Sequence, residues 1–154
     1  MDKIIIYTDG SSRGNPGPGG YGAVLMWGNK VKALSGAFKR TTNNRMELFA
    51  VIKAMSALKN YNIPVHIYTD SKYVVDSVEK KWLDKWIKTD FKGGKKNKDL
   101  WTAYYVLSKP FKIKFHWVKG HADNPYNNRC DELATLAADN GPWDIDVEFE
   151  KIEQ

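Results

Sequence analysis

The alternation of two hydrophobic periods restricts the fold of this chain more than any other feature of its sequence. Lys3–Thr8, Tyr21–Trp27 and Val31–Arg40 have the apolar runs or period-two alternation of strands. Gly28–Asn29 predicts a tight hairpin turn between the last two. The chain therefore begins with three consecutive strands, which favours a sheet over a helical bundle.

The period then changes to that of helices. Apolar residues recur at helical spacing over Met46–Lys59, and this predicted helix stops before Pro64. The following segments predict a strand, three helices, a strand and a helix, in the order Val65–Thr69, Ser71–Glu79, Lys81–Lys88, Asp99–Leu107, Lys112–Val118 and Asn128–Ala138. The order β-β-β-α-β-α-α-α-β-α predicts an α/β protein, with a mixed sheet and helices on its faces.

Size and composition indicate one domain. A chain of 154 residues buries about two-thirds of the surface that it exposes when unfolded. We assign residues 1–141 to this domain and residues 142–154 to an acidic tail that forms either an added edge strand or a loose arm. Apolar runs such as Ala23–Trp27 are too short to span a bilayer, and Cys130 is the only cysteine. We expect a cytoplasmic monomer with no membrane partner.

The excess positive charge of the chain is concentrated in one segment. Lys80–Lys98 contains eight lysines and two aspartates, so its net charge equals the formal +6 of the whole chain. The same segment carries Trp82, Trp86 and Phe91. Lysines neutralise phosphates and aromatic rings contact sugars or bases, so this pattern is typical of a nucleic-acid contact. The alternative is a solvated lysine face whose tryptophans dock a helix on the core.

Four acidic residues fall where predicted elements begin or end. Asp9 and Asp70 each end a strand with the letters IYTD. Glu47 and Asp131 each lie in the first turn of a predicted helix. If the two strands are parallel neighbours, the carboxylates meet at the carboxyl edge of the sheet, where α/β proteins bind ligands. Four converging carboxylates repel each other unless cations lie among them, and oxygen ligands favour magnesium or manganese.

Each of these acids also has a purely structural interpretation. Asp9 before a glycine is an ordinary turn signal, and either Asp70 or Ser71 would make a good helix N-cap. Glu47 could complete a capping box begun by Asn44, and Asp131 would favour the N-terminal dipole of its helix. We prefer the metal site because all four acids occur in one chain that also has a basic segment.

The glycine-rich stretch after Asp9 contains the spacing of a dinucleotide-binding loop, at Gly17, Gly19 and Gly22. A strand follows these glycines where that loop requires a helix, and Pro18 lies among them. We therefore interpret the stretch as a turn-rich connection between strands, whose flexible backbone allows the close approach of a nucleic acid.

Five stretches of the sequence match motifs of one known family: YTDGSSRGNPGPGGYGAVL, RTTNNRMELFAVIKAM, YTDSKYV, KDLW and WVKGHADNPYNNRCDELA. Through them the chain resembles type 1 ribonuclease H, the ribonuclease HI family, from Ile4 to Ala138. The resemblance implies a ribonuclease H-like fold, with a five-stranded mixed sheet and helices on both faces. It also implies an endonuclease that cleaves the RNA strand of an RNA/DNA hybrid and leaves 3′-hydroxyl and 5′-phosphate ends.

The resemblance also implies the catalytic residues. It makes four carboxylates the ligands of two Mg²⁺ ions during catalysis, with Mn²⁺ as a substitute; they are Asp9, Glu47, Asp70 and Asp131. It makes His121 a mobile histidine that assists proton transfer or product departure. The alternative function is a non-catalytic module that binds RNA/DNA hybrids, but such a module could lose a carboxylate and this chain retains all four.

By the same resemblance, Asn15, Asn43 and Asn44 contact the two strands of the hybrid across the minor groove, and Thr42 lies near a DNA phosphate. The 2′-hydroxyl is the group that distinguishes RNA from DNA at such contacts. Helix capping and turn formation are alternative roles, which these side chains can fill at the same time.

The basic segment matches the family's basic protrusion, which binds the DNA strand. The residues that we select in it as substrate contacts are Trp82, Lys95, Lys96 and Lys98. Lys72 follows the second IYTD motif where many relatives have glutamine, so we expect it to contact a phosphate instead of a base edge.

Overall fold

The computed structural model describes residues 2–120 and 123–153. Within these ranges lie six strands: β1 (Ile4–Ser12), β2 (Gly17–Trp27), β3 (Lys30–Thr41), β4 (Val65–Thr69), β5 (Ile113–Trp117) and β6 (Trp143–Asp144). The same ranges form six helices: α1 (Asn43–Ser56), α2 (Lys72–Glu79), α3 (Trp82–Lys88), α4 (Lys98–Ser108), α5 (Pro125–Asn140) and α6 (Val147–Glu153). The predicted order of elements is confirmed from β1 to α5.

The strands of the described chain form one sheet in the order β5-β4-β1-β2-β3-β6. β1 is antiparallel to β2 and parallel to β4, and β4 is parallel to β5, so the predicted mixed α/β sheet is confirmed. The expected number of five strands is too low by one. After Gly141 and Pro142 the chain adds the two-residue strand β6 beside Ala37 and Phe38 of β3.

Helices cover both faces of the sheet, as predicted. Gly10 lies against α1, where a Cβ atom would overlap the backbone of Glu47. Gly20 lies against α5, where a Cβ atom would overlap the carbonyl oxygen of Ala134. Successive residues of a strand point to opposite faces, and Gly10 pairs with Tyr21, so Gly10 and Gly20 face opposite sides. Both helices therefore pack directly on the sheet backbone.

The prediction that β1 ends at Asp9 is wrong. β1 continues to Ser12 because the glycine-rich stretch pairs with it as the first half of β2, which places Asp9 opposite Gly22. That stretch is a strand and not the expected turn-rich connection. Close packing, rather than flexibility, explains its glycines: Gly20 and Gly22 lie against α5, whereas Gly19 lies against Thr41 and Met46.

α1 begins before the predicted start of its helix. The Thr42 hydroxyl caps the helix by accepting a hydrogen bond from the Arg45 amide at 3.3 Å. Glu47 therefore lies beyond the first turn, and the capping box that we considered for Asn44 is wrong.

α5 also begins earlier than predicted. Pro125 stands at its start, where the missing N–H of proline costs nothing, and the Asn124 side chain caps it. Asp131 consequently lies in the second turn of α5, so its expected position at the helix N-terminus is wrong.

The main hydrophobic core lies between the sheet and the helices α1, α2 and α4. Its fully buried members include Ile6, Leu48, Met55, Ile67 and Trp101. Within the described ranges, no helix combines the length and the apolar character that crossing a bilayer requires.

A buried arginine connects residues 142–154 to the rest of the fold. The Arg45 side chain on α1 is 2% exposed and donates hydrogen bonds to Asp146 at 2.8 and 2.9 Å and to Asp99 of α4 at 2.7 and 2.9 Å. Burial alone would raise the pKa of Asp99, but the hydrogen bonds and charge of Arg45 hold that pKa below its usual value. The expected edge strand is present, but only at Trp143–Asp144, and Val147–Glu153 is helical instead. The buried ion pair excludes the alternative of a loose arm.

We expect Asp146→Asn to lower the free energy of unfolding by about 2 to 3 kcal/mol, because the buried Arg45 charge keeps only Asp99 as a charged partner. Urea unfolding at pH 7 measures the change. Asp144→Asn, at an exposed position two residues earlier, is the matched control and should change stability by less than about 0.5 kcal/mol. Equal effects of the two substitutions would contradict the importance of the buried ion pair.

Candidate active site

Three carboxyl groups converge at one edge of the sheet. Asp9, Glu47 and Asp70 each offer one oxygen, and these oxygens all lie within 4.8 Å of one another. Asp9 and Glu47 are buried, and Asp70 is partly exposed. The three groups are close enough to share a metal ion.

The parallel pairing of β1 and β4 brings two of these acids together. Tyr7 of β1 lies opposite Tyr68 of β4, so the residues two positions further along, Asp9 and Asp70, reach the same level of the sheet. Glu47 comes from α1. The backbone of α1 rests directly on β1 at Gly10. A side chain at that glycine would separate Glu47 from Asp9.

The acids line a polar cavity of about 310 Å³, and Asp131 of α5 lines the same cavity. The structure thus brings the four predicted carboxylates to one place. Asn127 and Asn128 also line the cavity. Neither was predicted as a site residue from the sequence, where the last helix was expected to begin at Asn128. Asn127 is 2% exposed, and its Oδ1 has no hydrogen-bond partner among the described residues. Their spacing in the sequence could have indicated them, because Asn127 and Asn128 lie one helical turn before Asp131.

Burial and mutual repulsion favour the protonated forms of Asp9 and Glu47. Burial, together with the nearby charge of Asp70, raises the pKa of Asp9 to about 8. Burial and the charge of Asp9 raise the pKa of Glu47 well above its ordinary value. The three groups cannot all be ionised unless a cation compensates their charge.

The residues present fit a divalent cation. Glu47 Oε1 is buried and has no hydrogen-bond partner in the part of the chain that the structure describes, and leaving such an oxygen unpaired is costly. The ligands on offer are carboxylate oxygens, which hard cations such as Mg²⁺ and Mn²⁺ prefer. This acidic group could therefore hold a metal.

The last residue of β5, Trp117, and the loop that follows it both pack against Asp70. The Trp117 indole N–H donates to the Asp70 carbonyl oxygen at 3.1 Å, and a Cβ atom on Gly120 would lie 2.8 Å from Asp70 Oδ2. The loop leads to His121, which lies outside the described residues. Lys72 is held beside the loop, with its Nζ 4.8 Å from the centroid of the Trp117 ring.

The predicted contact residues around the start of α1 meet at the rim of the cavity. Asn15, in the turn between β1 and β2, accepts a hydrogen bond from the Asn43 amide at 3.0 Å through its Oδ1. Asn43 lines the cavity, and Asn44 is exposed beside it. Thr42 is the N-cap of α1. The alternative role of helix capping is therefore confirmed for this residue.

The aromatic residues of Lys80–Lys98 divide into a buried and an exposed set. Trp86 packs edge to face against the fully buried Trp101, with ring centroids 6.1 Å apart, and so docks α3 on the core. Trp82 is 38% exposed and lines a surface groove together with Trp86. Trp86 therefore has the docking role, and the predicted nucleic-acid contact of the exposed Trp82 stays a prediction.

The three selected lysines differ in their surroundings. Lys95 lines the same groove, with its Nζ 5.8 Å from the centroid of the Trp86 ring. Lys96 is exposed. Lys98 forms an ion pair with Asp90 at 2.6 Å, so part of its charge is already compensated. Lys95 and Lys96 are consequently the stronger candidates for phosphate contacts.

Comparisons with known proteins agree with this geometry. Residues 1–139 match the sequence profile of the RNase H family. Ribonuclease H of Chlorobium phaeovibrioides is 51% identical over 144 residues, which cover 91% of this chain and 98% of that protein.

Two solved structures are also similar. The structure of LC9-RNase H1, a type 1 RNase H with the type 2 active-site motif, has a TM-score of 0.80 and 28% identity, covering 90% of this chain and 73% of its own. The structure of LC11-RNase H1 in complex with RNA/DNA hybrid has a TM-score of 0.69 and 27% identity, covering 89% of this chain and 97% of its own. The match to the family over most of the sequence and the identity to the Chlorobium protein show that this chain belongs to the RNase H family.

Proposed function

We propose that this protein is an endonuclease that hydrolyses the RNA strand of RNA/DNA hybrids. The observation that carries the proposal is the convergence of Asp9, Glu47 and Asp70 within 4.8 Å, in a polar cavity that Asp131 also lines. Membership of the RNase H family supports phosphodiester hydrolysis as the reaction. The similarity to LC11-RNase H1, solved in complex with an RNA/DNA hybrid, supports the same class of substrate here.

In this proposal Asp9, Glu47, Asp70 and Asp131 hold two Mg²⁺ ions during catalysis, and Mn²⁺ can substitute. Bound cations of this kind orient a water molecule and stabilise the charge on the phosphate and on the leaving oxygen. The protein's own contribution is to hold the carboxylates rigidly, since β1, β4 and the close packing of α1 fix three of them. Water adds to phosphorus and the bond to the 3′ oxygen breaks, which leaves 3′-hydroxyl and 5′-phosphate ends.

Recognition of the hybrid would involve the amide groups at the rim of the cavity. Oδ1 of Asn15 is occupied by the Asn43 amide, so the Asn15 side chain has two N–H donors left for the substrate. Asn43 and Asn44 stand beside it on the first turn of α1, and we place Thr42 near a DNA phosphate. These groups would read the minor groove, where the RNA strand displays its 2′-hydroxyls.

We propose that the basic segment binds the DNA strand. Lys95 and Lys96, assisted by Lys98, would neutralise phosphates, and the exposed ring of Trp82 would lie against a sugar or base. Lys72, held near Asp70 by Trp117, would contact a phosphate closer to the reacting bond.

His121 is proposed to assist proton transfer or product departure, because imidazole titrates near neutral pH. We further propose that residues 1–141 form the catalytic domain, with residues 142–154 as an appended tail. We place the protein in the cytoplasm as a monomer. Its single cysteine, Cys130, is buried and forms no disulfide, which fits a reducing compartment.

Cleavage of an end-labelled RNA/DNA hybrid tests the proposed function. With Mg²⁺ we expect cutting of the RNA strand of the hybrid, loss of cutting in EDTA, and intact RNA/RNA and DNA/DNA duplexes. A protein that binds the hybrid but cuts nothing with either Mg²⁺ or Mn²⁺ would instead be the non-catalytic binding module.

We expect Asp70→Asn to lower the cleavage rate by about a hundredfold to a thousandfold, because it removes a charge that the transition state requires. Its binding to the hybrid and its unfolding midpoint should be preserved, since one source of repulsion is removed. Single-turnover cleavage measures the rate. Asp76→Asn, which removes only a surface pair with Lys80 at 3.6 Å, is the control and should cleave normally. Wild-type cleavage by Asp70→Asn would remove Asp70 from the mechanism.

The metal-free protein should lose stability as the pH rises. The folded-state pKa of Asp9, about 8, lies above its ordinary value of 3.8, so the folded state binds this proton more tightly than the unfolded state does. The stabilisation by that proton is complete below about pH 4 and is lost as the pH rises to about 8. We expect the urea midpoint in EDTA to fall over this range.

Two comparisons make this pH dependence specific. Asp9→Asn should flatten it, whereas Asp84→Asn on the exposed side of α3 should not. Adding Mg²⁺ at pH 8 should raise the midpoint, because a ligand that binds only the folded state stabilises it. A metal-free stability that increases with pH over this range would show that the carboxyl groups do not repel one another as inferred.

Replacing Lys95 and Lys96 by alanine should weaken binding to the hybrid and reduce the slope of log affinity against log salt by about 1 for each phosphate that is no longer neutralised. Fluorescence anisotropy at several salt concentrations gives the slope. Lys30→Ala with Lys32→Ala, two exposed lysines of β3, removes the same charge elsewhere and should leave the slope nearly unchanged. Identical slopes for both double variants would mean that the basic segment is only a solvated face.

A further inference from the structure

We propose that Arg13 is a positioning residue, which holds the turn between β1 and β2 in place through Asp139 of α5. The proposal rests on the proposed function, because this turn carries Asn15 to the rim of the active site. Asn15 contacts Asn43, which lines the acidic cavity. Arg13 would thus act on the substrate only through the placement of Asn15.

The contact between Arg13 and Asp139 fixes orientation as well as distance. Nε and Nη2 of the guanidinium donate to the two oxygens of the carboxylate, both at 2.7 Å. Such paired, parallel hydrogen bonds allow little rotation of either group. The hydrogen bond from Arg13 also holds the pKa of Asp139 below its usual value, so the pair stays charged at neutral pH.

Among the described residues, three hydrogen-bonded contacts attach the turn to its surroundings. The Arg13 amide donates to the Pro18 carbonyl oxygen at 2.7 Å, which ties the turn to β2. Oδ1 of Asn15 accepts from the Asn43 amide at 3.0 Å, which ties it to α1. The Arg13–Asp139 contact ties it to α5 and involves side chains alone. This third attachment can therefore be removed without changing a backbone group.

The location of the Arg13–Asp139 pair indicates that it positions the turn and does not stabilise the fold. Its side chains are 52% and 45% exposed, and exposed ion pairs contribute little to stability. The turn nevertheless touches α1, which carries Glu47, and α5, which carries Asp131. A small displacement of a substrate-contacting group at such a place weakens productive binding.

Direct contact of Arg13 with a phosphate is the competing explanation, and Asp139→Asn separates the two. If Arg13 positions the turn, Arg13→Gln and Asp139→Asn should each raise KM for the hybrid about three- to fivefold. The kcat should stay within about twofold of the wild-type value, because the lost interaction is equally strong in the bound substrate and in the transition state. If Arg13 binds a phosphate directly, Asp139→Asn frees the guanidinium and lowers KM, which would overturn the proposal.

Charge reversal provides the decisive control. The double variant Arg13→Asp with Asp139→Arg should restore the wild-type KM, although the cation has moved from the turn to the helix. Glu153→Gln breaks a comparable exposed pair with Arg40, at 2.8 and 2.9 Å, that does not touch the turn, and it should leave KM unchanged. Unchanged KM in Asp139→Asn, or no recovery in the double variant, would overturn the proposal.

Hydrogen exchange of the Asn43 amide tests the same contact without any cleavage. Removal of the Asp139 charge should loosen the turn and reduce the protection of the Asn43 backbone amide against hydrogen exchange, as measured by NMR. The charge-reversed variant should recover this protection. Failure of the wild-type protein to cleave hybrids would refute the proposed function alone. Unchanged Asn43 protection in Asp139→Asn would refute the positioning role of Arg13.

Discussion

Three carboxyl groups within 4.8 Å of one another, two of them buried, form the arrangement on which the rest of the structure depends. Such a group is unfavourable in isolation, since burial and repulsion raise the pKa of Asp9 to about 8. The surrounding fold must hold the side chains together against that repulsion. The parallel pair of β1 and β4 fixes Asp9 and Asp70, and α1 adds Glu47. The same repulsion favours the binding of divalent cations.

The position of Glu47 is determined from two sides of α1. On one side Gly10 lets the helix backbone rest directly on β1. On the other side Arg45, two residues before Glu47, is held by Asp99 of α4 and by Asp146 of the tail. The acidic cavity is thus coupled to the tail through a buried ion pair, although none of the described tail residues, 142–153, lines the cavity. Rigid support of this kind places the carboxylates before any cation or substrate binds.

The sequence was sufficient for the order of elements from β1 to α5, because each of these predicted strands and helices has a clear hydrophobic period. The repeated IYTD ending also predicted that Asp9 and Asp70 meet. This prediction requires only that the two strands with that ending are parallel neighbours. The course of β1 beyond Asp9 could not be read locally, because its partner strand is rich in glycine and resembles a loop. The anchoring of the tail could not be predicted from local sequence either, since Asp146 pairs with Arg45, which is 101 positions away in the sequence.

The most direct measurement of the central claim is anomalous diffraction from crystals grown with Mn²⁺ at a concentration that supports cleavage. Cations held by the converging carboxylates should give a peak in the acidic cavity, bonded to oxygens of Asp9 and of Glu47 or Asp70. The peak should disappear in crystals of Asp9→Asn. A cavity without an anomalous peak in the wild-type protein under those conditions would contradict the claim that these three carboxyl groups form the metal site.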